Sequence, residues 1–377
     1  MEKELSYWLA LAHAKKVKTK KKNEIIVKLF EEKKKIIDFF HSDPSNWENV
    51  YGLTKQEVGI LHKSSQEISN YAFMVEDLLE QGYTILPITS KDYSPTLKRN
   101  LGRSLAPTLI YTKGNLQILN EKSIAIVGSR KAEKVSLEFT DNVAKKASEE
   151  FKVVVSGFAK GVDKQALDSA LKYNGQSIIV LPQGIATFRS GFKKYYKQII
   201  EGNVLVLSTF YPKAPWSVQL AMARNPIIYG LASEIFVAES SEKGGTWSGV
   251  MDGLRKGRKI FVRKPSPIEK NANNILISKG GKPVDNKGNL ILYESSVEPS
   301  IVAEPRVNNI EEKIIELLKK GTYDSKYIVN KLKIGWSTKQ VTNYLKNSEN
   351  VKVIKNRPLK FTHITNAPES EPTLFNN

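Results

Sequence analysis

With 377 residues the chain is long enough for one large core and one or two small satellites, because single cores rarely grow past roughly 250–300 residues. Lys and Arg total 58 against 39 for Asp and Glu, and the formal charge of +19 points to a polyanion partner, nucleic acid ahead of a membrane surface, or to a lysine-rich composition kept for solubility. The lack of cysteine excludes disulfides, thiolate metal sites and cysteine nucleophiles, and His13, His41, His62 and His363 are scattered without ligand spacing, so neither a metal nor a cofactor is expected.

Residues 1–81 read as a helical, basic region, with Ile25, Ile26, Leu29, Phe30, Ile36 and Phe40 recurring at helical spacing. Its lysine clusters at 15–22 and 33–35 are either an arm touching phosphate or a solvated helix face. The apolar patch 7–12 follows acidic residues and precedes lysines, the reverse of a secretory signal, and no run approaches the roughly eighteen apolar residues of a membrane span. A cytoplasmic protein with no membrane partner is expected. From 82 to 119 short strands and Pro87, Pro95 and Pro107 suggest a lead-in at the edge of a larger domain.

That domain, assigned to 82–295 with its lead-in, alternates strand and helix. Candidate strands at 124–127, 153–156, 178–181, 204–207, 235–238 and 259–262 are short, apolar and β-branched, as in strands covered on both faces. The segments between them are long enough for parallel crossovers. The expected class is α/β, a doubly wound and mostly parallel Rossmann-like sheet. A linker is placed at 296–306, a winged-helix-like module at 307–365 and a disordered tail at 366–377. The module's first helix opens with Asn309 and Glu312, its second covers 325–332, and its third opens with Ser337 and Gln340; strands at 351–354 and 359–362 flank Asn356-Arg357-Pro358. The third helix carries only Lys339 and Lys346, so groove entry and a packing role both stay open.

Four loops carry residues suited to anions. Gly128-Ser129-Arg130 follows a strand; the glycine admits a ligand to the backbone, the serine is expected to cap the next helix, and the arginine offers a bidentate fork to phosphate. No G-x-G-x-x-G occurs there, which disfavours a nicotinamide cofactor. Ser156-Gly157-Phe158-Ala159-Lys160-Gly161-Val162-Asp163 forms a second such loop on the neighbouring strand, with Lys160 free between glycines and Asp163 read as a structural helix cap. Arg224-Asn225, ahead of Pro226, can hold phosphate and a base edge, or can simply form a turn. Gly244-Gly245-Thr246 opens a helix after the fifth strand and makes a phosphate cradle, or permits close helix packing. Glu239, Glu242 and Asp252 lie near the crevice, but no nucleophile and base stand together, so catalysis is not expected.

The order Gly-Ser-Arg, then Ser156 to Asp163, then Ile179-Val180-Leu181-Pro182-Gln183-Gly184, then Arg224-Asn225-Pro226-Ile227-Ile228-Tyr229-Gly230, resembles the DNA-processing protein A family, also called Smf. Tyr93-Ser94-Pro95 and Ala106-Pro107-Thr108 are similar to that family's approach to its Rossmann-like domain. The resemblance implies a homodimer that binds and protects single-stranded DNA and loads a RecA-type recombinase during transformation, with Arg130 and Lys160 as leading DNA contacts and Gly128, Ser129 and Arg224 beside them. Two departures stand out. Gly244-Gly245-Thr246-Trp247 replaces a Ser-Gly-Ser/Ala-Leu-type segment and is similar to the phosphate loop of lysine-decarboxylase-like nucleotide proteins, which keeps a nucleotide sensor or phosphoribohydrolase as the alternative. The N-terminal region also lacks a helix-hairpin-helix signature. A transcriptional regulator acting through the winged helix is a third possibility.

Overall fold

The central strands alternate between two apolar layers, as a sheet covered on both faces requires. On one of them Ile124 and Ile126 face Phe139, Val143, Val154 and Ala166, while Ala125 and Val127 join the larger core on the other side. The computed structural model describes residues 2–291, 308–348, 350–356 and 359–363. These fall into two compact units, one drawn from the first 292 residues and one from 293–372.

The first unit is built on nine strands: β1 (Thr84–Pro87), β2 (Leu109–Lys113), β3 (Ser123–Gly128), β4 (Val153–Ser156), β5 (Ser177–Val180), β6 (Val204–Ser208), β7 (Glu234–Glu239), β8 (Lys259–Arg263) and β9 (Lys282–Val284). Their order is β1-β2-β6-β5-β4-β3-β7-β8-β9. Strands β3 to β9 run parallel, and β1 and β2 extend the β6 edge antiparallel. The mostly parallel α/β class read from the sequence is the one observed. The chain winds outward from β3 through β6, then returns to place β7 on the other side of β3. Strand order therefore reverses beside β3, and the crevice at the carboxyl ends of β4, β3 and β7 is the position where open α/β sheets hold ligands. Strand β9 was not anticipated; it is three residues long and contains Pro283, which only an edge position tolerates.

Six helices between residues 2 and 80 precede the sheet. Their apolar faces, including Leu9, Ile25, Phe39, Trp47 and Leu61, enter the same core as Ile85 and Ile110 of β1 and β2. His13 Nε2 lies 2.6 Å from the Tyr111 hydroxyl at this junction, and Lys22 Nζ donates to the Ala12 carbonyl at 2.6 Å. Burial, and secondarily the Lys22 charge, pull His13 down to about 3, and burial takes Lys22 to about 8. Lys22 is thus a structural member of the cluster; Lys15, Lys16, Lys18 and Lys20 face solvent. Among the described residues no helix is long and apolar enough to cross a membrane.

The second unit contains helices Asn308–Lys319, Ser325–Leu332 and Thr338–Asn347, followed by antiparallel strands Val351–Asn356 and Leu359–His363. Ile314, Leu318, Ile328, Val341, Leu345 and Phe361 form its core. Ser337 and Gln340 make the reciprocal cap that their spacing suggested. The Asn309 and Glu312 side chains, Arg357-Pro358, the 296–306 segment and residues 366–377 lie outside the described residues.

Candidate nucleic-acid interface

The loops after β3 and β4 are locked onto each other by glycines. A methyl group at Gly128 would stand 2.6 Å from Val162 Cγ2 and 3.1 Å from the Glu239 carbonyl oxygen. Gly161 has φ +76°, and any side chain there would collide with the Ser129 carbonyl, which accepts from the Val162 amide at 3.2 Å. Both loops therefore end on one surface. Arg130 and Lys160 project from it, exposed and, among the described residues, without a salt bridge or side-chain hydrogen bond. Phe158, between them, is a bulky residue at φ +60°, held there by edge-on packing against Phe188 and Tyr195 with centroids 5.1 and 5.7 Å away.

Arg224 stands under this surface and not on it. Its side chain is only 4% exposed; Nη2 donates to the Gly157 carbonyl at 2.9 Å and Nη1 lies 3.6 Å from the Asp163 carboxylate. A methyl group at Gly157 would fall on the guanidinium, so Gly157 is the gap that the arginine fills. Burial raises the Asp163 carboxyl above its ordinary value, opposed by the Arg224 charge and by the Ala159 and Gly157 amides it accepts from. Arginine and aspartate together form a strut that fixes the shape of the Lys160 loop. Reading Arg224 as an open phosphate contact is corrected by this burial. Asp163 is structural, as expected, but it sits in the first turn; Gly161 occupies the cap.

Two further positions depart from the sequence reading. Ser156 is buried and its hydroxyl donates to the Asp163 carbonyl at 2.6 Å, so it braces the loop from below. Ser129 does not cap a helix, because the next one begins at Lys134; its hydroxyl oxygen accepts from the Lys131 amide at 3.1 Å. The helix is capped from the neighbouring strand instead, by Glu239, whose carboxylate accepts from the Glu133 amide at 3.0 Å and the Ser136 hydroxyl at 2.8 Å. No sequence spacing signals a cap supplied from more than a hundred residues away.

The third loop closes the crevice. Gly244, at φ +96°, precedes the helix Gly245–Arg255, which has no side-chain cap, so its first-turn amides and dipole face the opening. Thr246 turns inward and donates to the Gly128 carbonyl at 3.1 Å, tying this loop to the first. Asn225 starts the helix Asn225–Leu231 and lies beside Gly245, where a methyl group would come 2.7 Å from its side-chain nitrogen. Gly128, Ser129, Arg130, Ala159, Asn225, Lys243, Gly244 and Gly245 all line one cavity of about 300 Å³, with Arg224 and Tyr229 at its base.

The family model described as DNA recombination-mediator protein A matches residues 84–294, more than half of the chain. The chain belongs to that family. Among curated relatives, the DNA processing protein DprA of Streptococcus pneumoniae is 33% identical over 182 residues, covering 48% of this chain and 64% of that protein. DprA of Bacillus subtilis is 26% identical over 208 residues, covering 54% and 69%, and protein Smf of Escherichia coli 29% over 196 residues, covering 50% of each. The matched segment thus spans about half to two thirds of these relatives. The X-ray structure of S. pneumoniae DprA superposes with a TM-score of 0.63 at 23% identity, over 74% of this chain and 94% of that one, and shares the fold.

The family match begins at β1 and contains all four loops of the crevice. Sequence reasoning missed Trp216, which is exposed beside Arg130 and Lys160 on a second hollow at the rim. A lone tryptophan in a loop reads as core, and nothing in its spacing marks it.

Proposed function

We propose that the crevice at β4, β3 and β7 holds the phosphate backbone of single-stranded DNA, and that the protein acts as a mediator in DNA uptake or recombination. The observation that carries this reading is the place of unpaired Arg130, which opens with the uncapped Gly245 helix terminus onto one cavity and with unpaired Lys160 onto the hollow beside it, in a chain of charge +19. Such a set attracts phosphate without reading base edges. Membership of a recombination-mediator family supports the same role, and with it protection of the strand, transfer to a RecA-type recombinase and work as a homodimer. We read it as a binding protein: the Glu239 carboxylate is committed to a helix cap, and Asp252 pairs with Arg255 and Lys256 at 2.9 and 2.7 Å. Hydrogen exchange with and without a single-stranded oligonucleotide tests the site. Protection is expected at the amides of 128–131, 157–161 and 244–247; protection confined to 308–363 would move DNA binding to the C-terminal unit.

A further inference from the structure

We infer that Trp216 is a stacking platform for one unpaired base, and thereby the residue that makes this surface prefer a single strand to a duplex; the inference rests on reading the crevice as a strand-binding site. The Trp216 side chain is 52% exposed, unlike Trp8 and Trp47, which are buried in the core. It lines a hollow of about 230 Å³ together with Arg130, Phe158, Lys160 and Pro182. Among the described residues its ring stacks on no other ring and holds no cation of the chain, so a large apolar face is left open between two unpaired cations.

The loop that carries it is fixed on both sides. Gly184 and Ala186 amides donate to the Ala214 and Pro212 carbonyls at 2.9 and 3.1 Å, and the Ser217 hydroxyl accepts from the Leu220 amide at 3.1 Å as the cap of Val218–Ala223. An anchored backbone fixes the point from which the indole projects before any ligand arrives, which lowers the ordering cost of binding. A strand whose phosphates rest on Arg130 and Lys160 runs along this hollow, and an unpaired base offers the ring a free face. Every base has such a face, so the contact is indifferent to sequence. In a duplex both faces are covered by neighbouring pairs. Trp216 therefore discriminates by strandedness, and the cations supply attraction common to both forms.

The test measures binding of a single-stranded oligonucleotide, its duplex and a strand with abasic sites to wild type, Trp216→Ala, Trp216→Phe and Arg130→Ala with Lys160→Ala. Trp216→Ala should weaken single-strand binding roughly 5- to 150-fold, leave duplex binding and the salt slope as in wild type, and be largely rescued by Phe. Wild type should bind the abasic strand about as weakly as Trp216→Ala binds the intact one, a comparison that needs no variant to fold. If Trp216→Ala binds the single strand normally while the double cation variant loses it, the platform is wrong and the crevice reading stands. Equal losses for single strand and duplex would make Trp216 a loop support and overturn the inference. If neither variant changes binding, the strand lies elsewhere and both readings fall.

Discussion

Replacing Arg224 with methionine separates a strut from a contact. The guanidinium is buried against Asp163 and Gly157, at 3.6 Å from the carboxylate and 2.9 Å from the carbonyl. Methionine fills much of the stem volume but leaves the carboxylate buried with the Gly157 and Ala159 amides and the smaller pull of the Arg130 charge. Removing one partner of a buried pair costs about 3–5 kcal/mol. The separation exceeds the roughly 2.7–2.9 Å of a strong charge-assisted bond, which argues for the lower end, about 3 kcal/mol. In Arg224→Met the Asp163 carboxyl, already raised by burial, loses its main opposing charge and rises further. A carboxyl whose folded pKa is raised destabilises the fold once pH exceeds the unfolded value, and does so increasingly up to the folded value. The deficit measured by urea unfolding should therefore be smaller at pH 5 than at pH 8, and Asp163→Asn added to Arg224→Met should recover part of it. A loss under about 1 kcal/mol with single-strand binding abolished would show that Arg224 touches DNA directly and that the strut is wrong.

Other expectations follow from the same geometry. Gly161→Ala combines φ +76° with a collision at the Ser129 carbonyl, so it should lower the thermal midpoint and weaken single-strand binding together, by parting the Arg130 and Lys160 loops. Glu269 is bound by Arg263 at 3.0 Å and by the Ser266 amide at 2.8 Å; the Arg263 bonds above all hold its carboxyl down to about 2 from 4.5. That shift is worth about 3 kcal/mol, fully present above pH 4.5 and lost as pH falls through 2, so acid unfolding of Glu269→Gln should be flatter over this window. Glu239→Ala should cost about 1 kcal/mol through the lost cap of Lys134–Glu149; an unchanged urea midpoint would dismiss the cap.

Strand positions were legible because buried parallel strands leave apolar runs such as Val153-Val154-Val155, closed by Ser156-Gly157, and the observed ends fall within a residue or so of the expected ones. The crevice was legible for a topological reason: loops after consecutive strands must meet at one end of a parallel sheet, so motifs a hundred residues apart could be joined. What spacing cannot carry is depth. Arg130 and Arg224 look alike in sequence, yet one is exposed and the other is only 3% exposed under Gly157. Ser156 and Thr246 carry hydroxyls expected to face a ligand, and both turn inward to backbone carbonyls. The lysine run 15–22 hid one buried member, Lys22, whose partner is the end of the first helix. Trp216 carried no signal in the sequence, because nothing in its spacing separates an exposed tryptophan from a buried one such as Trp47.

The salt dependence of single-strand affinity, measured for wild type and for Arg130→Ala with Lys160→Ala, tests the central claim most directly. Each phosphate neutralised on a single strand contributes about −0.7 to the slope of log K against log salt. Both side chains are exposed and unpaired, so the double variant should unfold like wild type. It should bind more weakly at low salt with a slope shallower by about 1.4. Wild-type affinity and slope in the double variant would contradict the assignment of the crevice to the DNA backbone.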